Sequence, residues 1–270
     1  MAANPIKRLA GETAIYGLGT IVPRLLNYFL VPFYTRIFDE SAYGQITELY
    51  AWVAIVMVVL TYGMETAFFR YANQEKDSSK VFNTATTSLL ITSTAFIALV
   101  ILFLGDIATA IQYGGNSEYI ILLALIVSID AFSSLPFAYL RYQKKAKRFS
   151  VIKITSVGVN IFLNFLFLLI IPSIFSEKMH GLVVYKDNQL IVFVFIANLI
   201  STITSLLLLW PELKGFKINI DKELLQKMLA YGIPILVIGF AGMINEVSDK
   251  ILLKYFLPDK GSAQAQIGIY

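Results

Sequence analysis

Residues 160–171 read Asn-Ile-Phe-Leu-Asn-Phe-Leu-Phe-Leu-Leu-Ile-Ile, and this run decides the class of fold. It lies inside a longer apolar stretch, residues 150–175, with lysine and glutamate nearby on either side. Strands of a membrane barrel alternate apolar and polar residues with a period of two, whereas this run is apolar all round. Because a bilayer core about 30 Å thick needs roughly 20 apolar residues per helix, the stretch predicts a membrane-spanning helix.

Six further stretches are as long and as apolar, so the sequence predicts an all-α polytopic membrane protein. The seven stretches are residues 10–37, 43–69, 81–104, 119–140, 150–175, 190–210 and 231–257. Residues 5–11 lack the small-residue cleavage pattern of a signal peptide, which predicts that the first stretch is retained. Residues 221–229 alternate charged and apolar positions at helical spacing, which predicts an amphipathic connector along the interface.

The composition excludes several classes of protein. Of the 270 residues, 57% are hydrophobic and 15% are charged, and the mean hydropathy is +0.69. Soluble domains carry about 25% charged residues, and a soluble chain of this size could not hide so much apolar surface. With no cysteine and only His180, the chain has no disulfides, no thiolate metal site and no multi-histidine site. In a membrane protein the net charge of +4 is not evidence of nucleic-acid binding, and no nucleic-acid partner is predicted. The positions of the charges are more informative than their sum.

The positions of the basic residues predict the orientation. Fifteen Lys and Arg lie before the first stretch or after the second, fourth and sixth, whereas five lie in the alternate loops. Because these residues accumulate on the cytoplasmic side, the amino terminus is predicted to be cytoplasmic. The cluster at residues 141–148 is interpreted as a topology determinant, with binding of anionic lipid head groups as the alternative.

A charge at mid-membrane depth costs several kcal/mol unless it faces a polar cavity or a partner, so each one is a candidate site. Arg24 lies 12 residues before Arg36, or about 18 Å along a helix. Pro23 and Pro32 predict a kink beside it. Arg24 is interpreted as a cavity-facing functional arginine, and a structural ion pair with an acidic neighbour is the alternative.

Asp130 lies 11 residues before Arg141, about 16 Å deep, and Ser128, Ser133 and Ser134 make its surroundings polar. This placement suits a carrier of protons or sodium ions. Hydrogen bonds to the serines, or pairing with Arg24, would satisfy the carboxylate equally well.

Five more charged residues are candidates near the ends of spans. Glu65 and Arg70 are interpreted as an ion pair at a helix end, in a gate or an interface. Glu246 and Lys250 are four residues apart and can neutralise one another. Asp249 points about 100° away from Lys250, which makes it the more informative acid of the last span.

No motif for nucleotide binding or hydrolysis is present. The sequence contains no H-E-x-x-H, no G-x-S-x-G and no P-loop, and Gly17-Leu-Gly19 lacks the third glycine of a dinucleotide fingerprint. No cofactor and no metal are therefore predicted.

Tyr16-Gly17 near the start of the first span is echoed by Tyr231-Gly232 at the start of the seventh, which is typical of parallel repeats in two-lobed transporters. A family resemblance rests on longer runs. These are Pro23-Arg24 through Val31-Pro-Phe-Tyr-Thr-Arg36, Ala42-Tyr-Gly44-Gln, Gly63-Met-Glu-Thr-Ala-Phe-Phe-Arg70, Ser248-Asp249-Lys250-Ile-Leu-Leu and Ile267-Gly-Ile-Tyr270. Together they resemble bacterial polysaccharide-biosynthesis flippases of the Wzx type, members of the multidrug and oligosaccharidyl-lipid flippase superfamily.

The resemblance implies a MATE/MOP-like helical bundle in the bacterial inner membrane, with two lobes around a central cavity. It divides the chain into a first six-helix lobe at residues 1–212, a connector at 213–229 and the start of a second lobe at 230–270. Members of the family have roughly twelve to fourteen spans, so this sequence is expected to be a fragment.

The implied activity is the flipping of an undecaprenyl-diphosphate-linked oligosaccharide from the cytoplasmic to the periplasmic leaflet, driven by Na⁺ or H⁺. Membrane lipid and other polysaccharide assembly proteins are the further partners. The residues expected to bind the substrate are Arg24, Asn27 and Lys250. Those expected to couple an ion or act in gating are Asp130, Glu65, Arg70, Glu246 and Asp249.

Three alternatives stay open. A drug antiporter of the same superfamily would have an acid-dominated cavity, whereas Arg24 favours an anionic cargo. A membrane polysaccharide polymerase or ligase would be expected to carry a large outer loop, and the one at residues 176–189 is short. A scaffold that only anchors an assembly would not need charges at mid-membrane depth.

Overall fold

A computed structural model describes residues 5–172, 187–256 and 260–269 of the chain. It contains seven helices that are long and apolar enough to cross a membrane, which confirms the all-α polytopic fold. His180, Tyr270 and most of the predicted outer loop at residues 176–189 lie outside the described residues.

The helices follow the predicted spans closely, but several spans are built from two pieces. Their bounds are α1 Pro5–Tyr28, α2 Leu30–Ile37, α3 Glu40–Thr61, α4 Met64–Ala72, α5 Ser78–Leu102, α6 Leu104–Ala110, α7 Ser117–Tyr142, α8 Ala146–Phe165, α9 Asp187–Leu208, α10 Trp210–Leu213, α11 Lys222–Phe256 and α12 Lys260–Ile269. A π-helical turn, Leu166–Ile170, extends α8.

The first two spans are broken for different reasons. Pro32 has no N–H to donate to the carbonyl of Tyr28, and span 1 is interrupted at Phe29, between α1 and α2, whereas Pro23 lies inside α1. Span 2 breaks between α3 and α4 because Tyr62 and Gly63 both adopt left-handed backbone conformations, with φ of 35° and 69°.

Large apolar side chains cover the outside of the bundle, where lipid would solvate them. Examples are Leu102, Phe162, Ile238 and Phe256, each more than half exposed. The buried core lies between α2, α3, α7 and α9 at one level and between α4, α5 and α7 at another. Consecutive spans alternate in direction, so residues 73–77, 143–145 and 214–221 share one end, here called the basic end. Residues 103–116 lie at the opposite end.

The predicted amphipathic connector is not a separate element. Residues 222–229 are the first turns of α11, which runs without interruption through Gly232 and Pro234 to Phe256. The helix starts at Lys222 because Asp221 Oδ1 caps it by accepting from the backbone N–H of Leu224 at 2.8 Å. Residues 216–221, here called the strap, precede α11 and have no regular secondary structure.

The strap is fastened to α5 by its backbone. The N–H groups of its alternate residues donate to side-chain oxygens of α5: Lys217 to Asn83 at 3.1 Å, Asn219 to Thr87 at 3.3 Å and Asp221 to Thr84 at 3.3 Å. Lys80 pairs with Asp221 at 2.6 Å and lowers the pKa of that carboxyl group. The strap therefore holds the start of α11 against span 3.

Span 2 packs closely against α11 and α12 at glycine residues. A Cβ on Gly44 would lie 1.9 Å from the carbonyl oxygen of Gln264, and one on Gly268 would lie 2.1 Å from that of Glu40. At the basic end, a Cβ on Gly63 would lie 2.5 Å from the carbonyl oxygen of Gly232. The backbones of span 2, α11 and α12 thus approach more closely than any side chain permits.

Candidate functional site

An open cavity of about 400 Å³ lies between α11 and the helices that precede it. Spans 1, 2, 5 and 6 contribute one wall and the seventh span contributes the other. The lining residues are Asn27, Leu30, Val31, Tyr34, Tyr43, Ile46, Thr47, Tyr50, Ala51, Ala54, Asn160, Asn198, Val247 and Lys250.

Lys250 is the one charged residue among those that line the cavity, and the other polar groups are amides and hydroxyls. Tyr34 donates to the Oδ1 atom of buried Asn164 at 2.8 Å, and the amide nitrogen of Asn164 donates to Asn160 Oδ1 at 3.0 Å. In the same wall, Asn198 Nδ2 donates to the Tyr50 hydroxyl at 2.9 Å. The wall of the cavity is therefore a positioned set of neutral hydrogen-bonding groups around one cation.

Asp130 lies behind this wall, inside the first lobe. Lys153 of α8 is the cation that interacts with its carboxylate, Thr202 lies within hydrogen-bonding reach, and Tyr50 is an electrostatic neighbour. Lys153 thus takes the place that the sequence left open for Arg24, and its ammonium also lies 4.0 Å from the ring centroid of Phe137. Lys153 was counted in the sequence only toward topology.

Arg24 is exposed on α1 and is not among the residues that line the cavity. It precedes Asn27 by one helical turn, and residues three apart on a helix are neighbours. Arg24 therefore lies beside the cavity, on the side toward the amino terminus of α1, whereas Asn27 and Lys250 line the cavity itself.

The predicted pair of Glu65 with Arg70 is wrong, because each residue has another partner. Arg141 Nη2 lies 2.6 Å from Glu65 Oε1, which joins α4 to α7 within the first lobe. The guanidinium of Arg70 lies 4.2 Å from the ring centroid of Tyr231, at the start of the seventh span. Both contacts are long-range in sequence, so neighbouring positions on one helix could not reveal them.

The two acids of the seventh span do not line the cavity, although Lys250 of the same helix does. Glu246 is exposed and Asp249 is half-buried, and the Oδ1 atom of Asp249 accepts from the backbone N–H of Lys250 at 2.8 Å. Neither acid is among the residues that line the cavity. Within the described ranges, no group of three or more His, Asp or Glu could hold a metal ion.

Sequence reasoning missed the most deeply buried ion pair of the described residues. Lys254 Nζ lies 2.9 Å from Glu48 Oε1, and their side chains are 3% and 0% exposed. Lys254 was counted as a loop charge, and Glu48 was not considered. A signal was available, because Glu48 lies eight residues into an apolar helix, about 12 Å from its start.

The sequence matches the polysaccharide biosynthesis protein family over residues 9–270. The chain belongs to that family. The match covers nearly the whole sequence and confirms the resemblance to Wzx-type flippases of the MOP superfamily. A search of curated proteins and a search of solved structures return no match. As a member of the polysaccharide biosynthesis family with seven membrane-competent helices, this is a multi-pass membrane protein.

Proposed function

We propose that this protein flips a lipid-linked oligosaccharide, carried on undecaprenyl diphosphate, from the cytoplasmic to the periplasmic leaflet of the bacterial inner membrane. The observation that carries the proposal is the cavity between the first lobe and α11, with Lys250 as its single charge. Membership of the polysaccharide biosynthesis family supports the same conclusion.

The chemistry of the cavity suits such a cargo. A diphosphate-sugar head group cannot cross hydrocarbon unsolvated, because an unpaired charge and unbonded hydroxyls are costly there. Amides of Asn27, Asn160 and Asn198 offer both donors and acceptors to sugar hydroxyls. The Lys250 ammonium offers three donors to a phosphate oxygen. The lipid tail stays in the bilayer while the head occupies the cavity.

Arg24 is proposed to receive the diphosphate before it reaches Lys250. Its exposed side chain lies one turn from Asn27, and its planar guanidinium binds two phosphate oxygens at once. Arg24 then acts beside the cavity and Lys250 inside it.

Coupling to an inward Na⁺ or H⁺ gradient is assigned to the buried acid of the first lobe. Asp130 interacts electrostatically with Tyr50 of the cavity wall and with Lys153, so a change of its charge state affects both. Asp249, adjacent to Lys250 on α11, is the second candidate. Glu65, Arg70 and Glu246 are proposed to act in gating rather than in binding.

The orientation proposed from the basic residues places the basic end in the cytoplasm. Other polysaccharide assembly proteins would then bind this protein at its cytoplasmic or its periplasmic surface.

The rival functions fit the cavity less well. A carrier of cationic drugs needs acidic lining residues, and the lining contains a lysine instead. A polymerase or ligase needs a set of groups for acid-base or nucleophilic catalysis. The lining supplies amides, hydroxyls and one amine. A transporter rather than an enzyme is therefore proposed.

The test is display of the polysaccharide at the cell surface in a host that lacks its own flippase. Lys250→Ala removes the charge-assisted contact with phosphate and should lower display about tenfold at unchanged protein level, whereas Lys250→Arg should keep part of it. Arg24→Ala should also lower display, and Arg24→Lys should rescue it only partly because it lacks the planar fork. Lys227→Ala, on the same helix but exposed, is the matched control. Normal display with Lys250→Ala would contradict the proposal.

A further inference from the structure

The ion pair between Glu48 and Lys254 joins the two units of the chain. Lys254 Nζ lies 2.9 Å from Oε1 and 3.0 Å from Oε2 of Glu48, so the ammonium bridges both carboxylate oxygens. Glu48 belongs to α3 in the first lobe, and Lys254 belongs to α11, the first span of the second unit.

A third segment completes the arrangement. The ammonium also donates to the carbonyl oxygen of Ile111 at 2.8 Å, and the Tyr113 hydroxyl donates to Glu48 Oε2 at 2.8 Å. The ammonium lies 4.0 Å from the centroid of the Tyr113 ring. All three donors of the ammonium therefore have acceptors, and residues 111–113 of the opposite end cover the pair.

The pair lies beside the cavity but is not part of it. Lys254 is one turn beyond Lys250 on α11, toward the opposite end. Glu48 directly follows Thr47, which lines the cavity. The contact between α3 and α11 thus contains two buried charges next to the cavity, in addition to an apolar cluster in which Ala51 packs with Val247 and Ile251.

A second contact closes the same end. Gly44 and Gly268 bring the backbones of α3 and α12 together, and Ser41 and Gln45 both contact Oε1 of Gln264, at 3.2 and 3.4 Å. Cargo that leaves the cavity toward the opposite end must therefore separate α3 from α11 and α12.

A buried ion pair adds little to the stability of a permanent contact, because well-packed apolar residues would stabilise the same contact as well or better. The two charges of an ion pair can be stabilised in two ways: by each other when the contact is dry, and by water when the contact opens. Apolar side chains are stabilised only while the contact is closed. This favours a contact that forms and breaks during function.

We propose that Glu48 and Lys254, with Tyr113 and the Ile111 carbonyl, form a latch that closes the cavity at the opposite end and opens when water replaces the pair. This inference rests on the proposed function, since it concerns the route by which cargo leaves. Glu48 and Lys254 act by controlling access and do not touch the cargo.

The test measures access to the cavity from outside intact cells. The chain has no native cysteine, so Thr47→Cys in the cavity wall is a single reporter for an impermeant maleimide. Lys254→Glu places two carboxylates together and should raise the labelled fraction of Cys-substituted position 47, with a population shift on the order of tenfold. The charge exchange Glu48→Lys with Lys254→Glu should return labelling toward its starting level.

The apolar double variant Glu48→Leu with Lys254→Met should behave in the opposite way, with labelling below the starting level and loss of surface polysaccharide. Lys227→Glu is the matched charge reversal, because Lys227 is on the same helix in an exposed pair with Glu223. Neither the labelling of position 47 nor the amount of surface polysaccharide should change in this variant. Unchanged labelling in a normally inserted Lys254→Glu protein would overturn the latch.

If Lys254→Glu does not reach the membrane, Tyr113→Phe serves instead, because it removes one contact and keeps the pair. It should raise labelling to a smaller extent, and no increase would count against the latch. Cysteines at Gly115, where a side chain has open space, and at exposed Lys145 report which end faces outward. Labelling needs no cargo, so the latch and the proposed function can fail separately.

Discussion

Glu48 and Glu65 lie near opposite ends of span 2, and each carboxylate is paired with one cation. The Glu48 pair with Lys254 is 0% and 3% exposed and connects the two units. The Glu65 pair with Arg141 is 39% and 34% exposed and stays within the first lobe. Both pairs join a glutamate to a cation, an ammonium in one and a guanidinium in the other, and they differ in burial and in the helices that they connect. A buried charge depends on its partner, whereas water can replace the partner of an exposed one.

The largest effect is expected for Lys254→Met, which leaves the Glu48 carboxylate buried without its cation. The free energy of unfolding should fall by about 3–5 kcal/mol, as for other broken buried pairs. Chemical denaturation of the purified protein in micelles would measure it. The double variant with Glu48→Gln should recover much of the loss, and a loss below about 1 kcal/mol in the single variant would show that water already reaches the pair.

Tyr113→Phe comes next, because it removes one hydrogen bond to a charged group and keeps the ring beside the ammonium. The expected loss is about 1.5–3 kcal/mol. Burial and the nearby Glu48 carboxylate raise the pKa of Tyr113, so the phenol keeps its proton as pH rises. The difference between wild type and variant should therefore be the same at neutral and mildly alkaline pH, and a difference that vanishes on raising pH would contradict this contact.

Arg141→Gln should cost about 1 kcal/mol or less, because the pair with Glu65 is screened by solvent. Part of that cost is lost packing, since the guanidinium lies 5.3 Å from the ring centroid of Phe69. Repeating the denaturation at high salt should shrink the electrostatic part. A loss as large as that of Lys254→Met would remove the distinction between the two pairs.

The smallest effect is expected for Lys227→Ala, which breaks the exposed pair with Glu223. Both side chains are mostly in solvent, so no measurable shift in Tm is expected. A clear decrease in Tm would mean that the first turns of α11 contribute more to stability than their exposure indicates.

The sequence predicted what depends on local order along the chain. The seven spans follow from apolar length and are confirmed. Asn27 and Lys250 were placed in a cavity, and they line one.

The sequence did not predict which side chains pair between different helices. Glu65 was assigned to Arg70 because the two are close in sequence, yet its partner is on α7. Lys254 was treated as a loop charge because its depth depends on where α11 ends. The connector was placed apart from span 7 because charged residues at its start masked the continuity of the helix.

The strap has a mechanical consequence. It fixes the first residue of α11 to span 3 through three backbone hydrogen bonds, while the 35 residues of the helix extend about 50 Å from that point. A rotation of about 10° at this pivot would sweep the far end through about 9 Å, more than the diameter of a sugar ring. In such a rotation the largest displacement would fall at the far end of α11, where Lys254 meets Glu48.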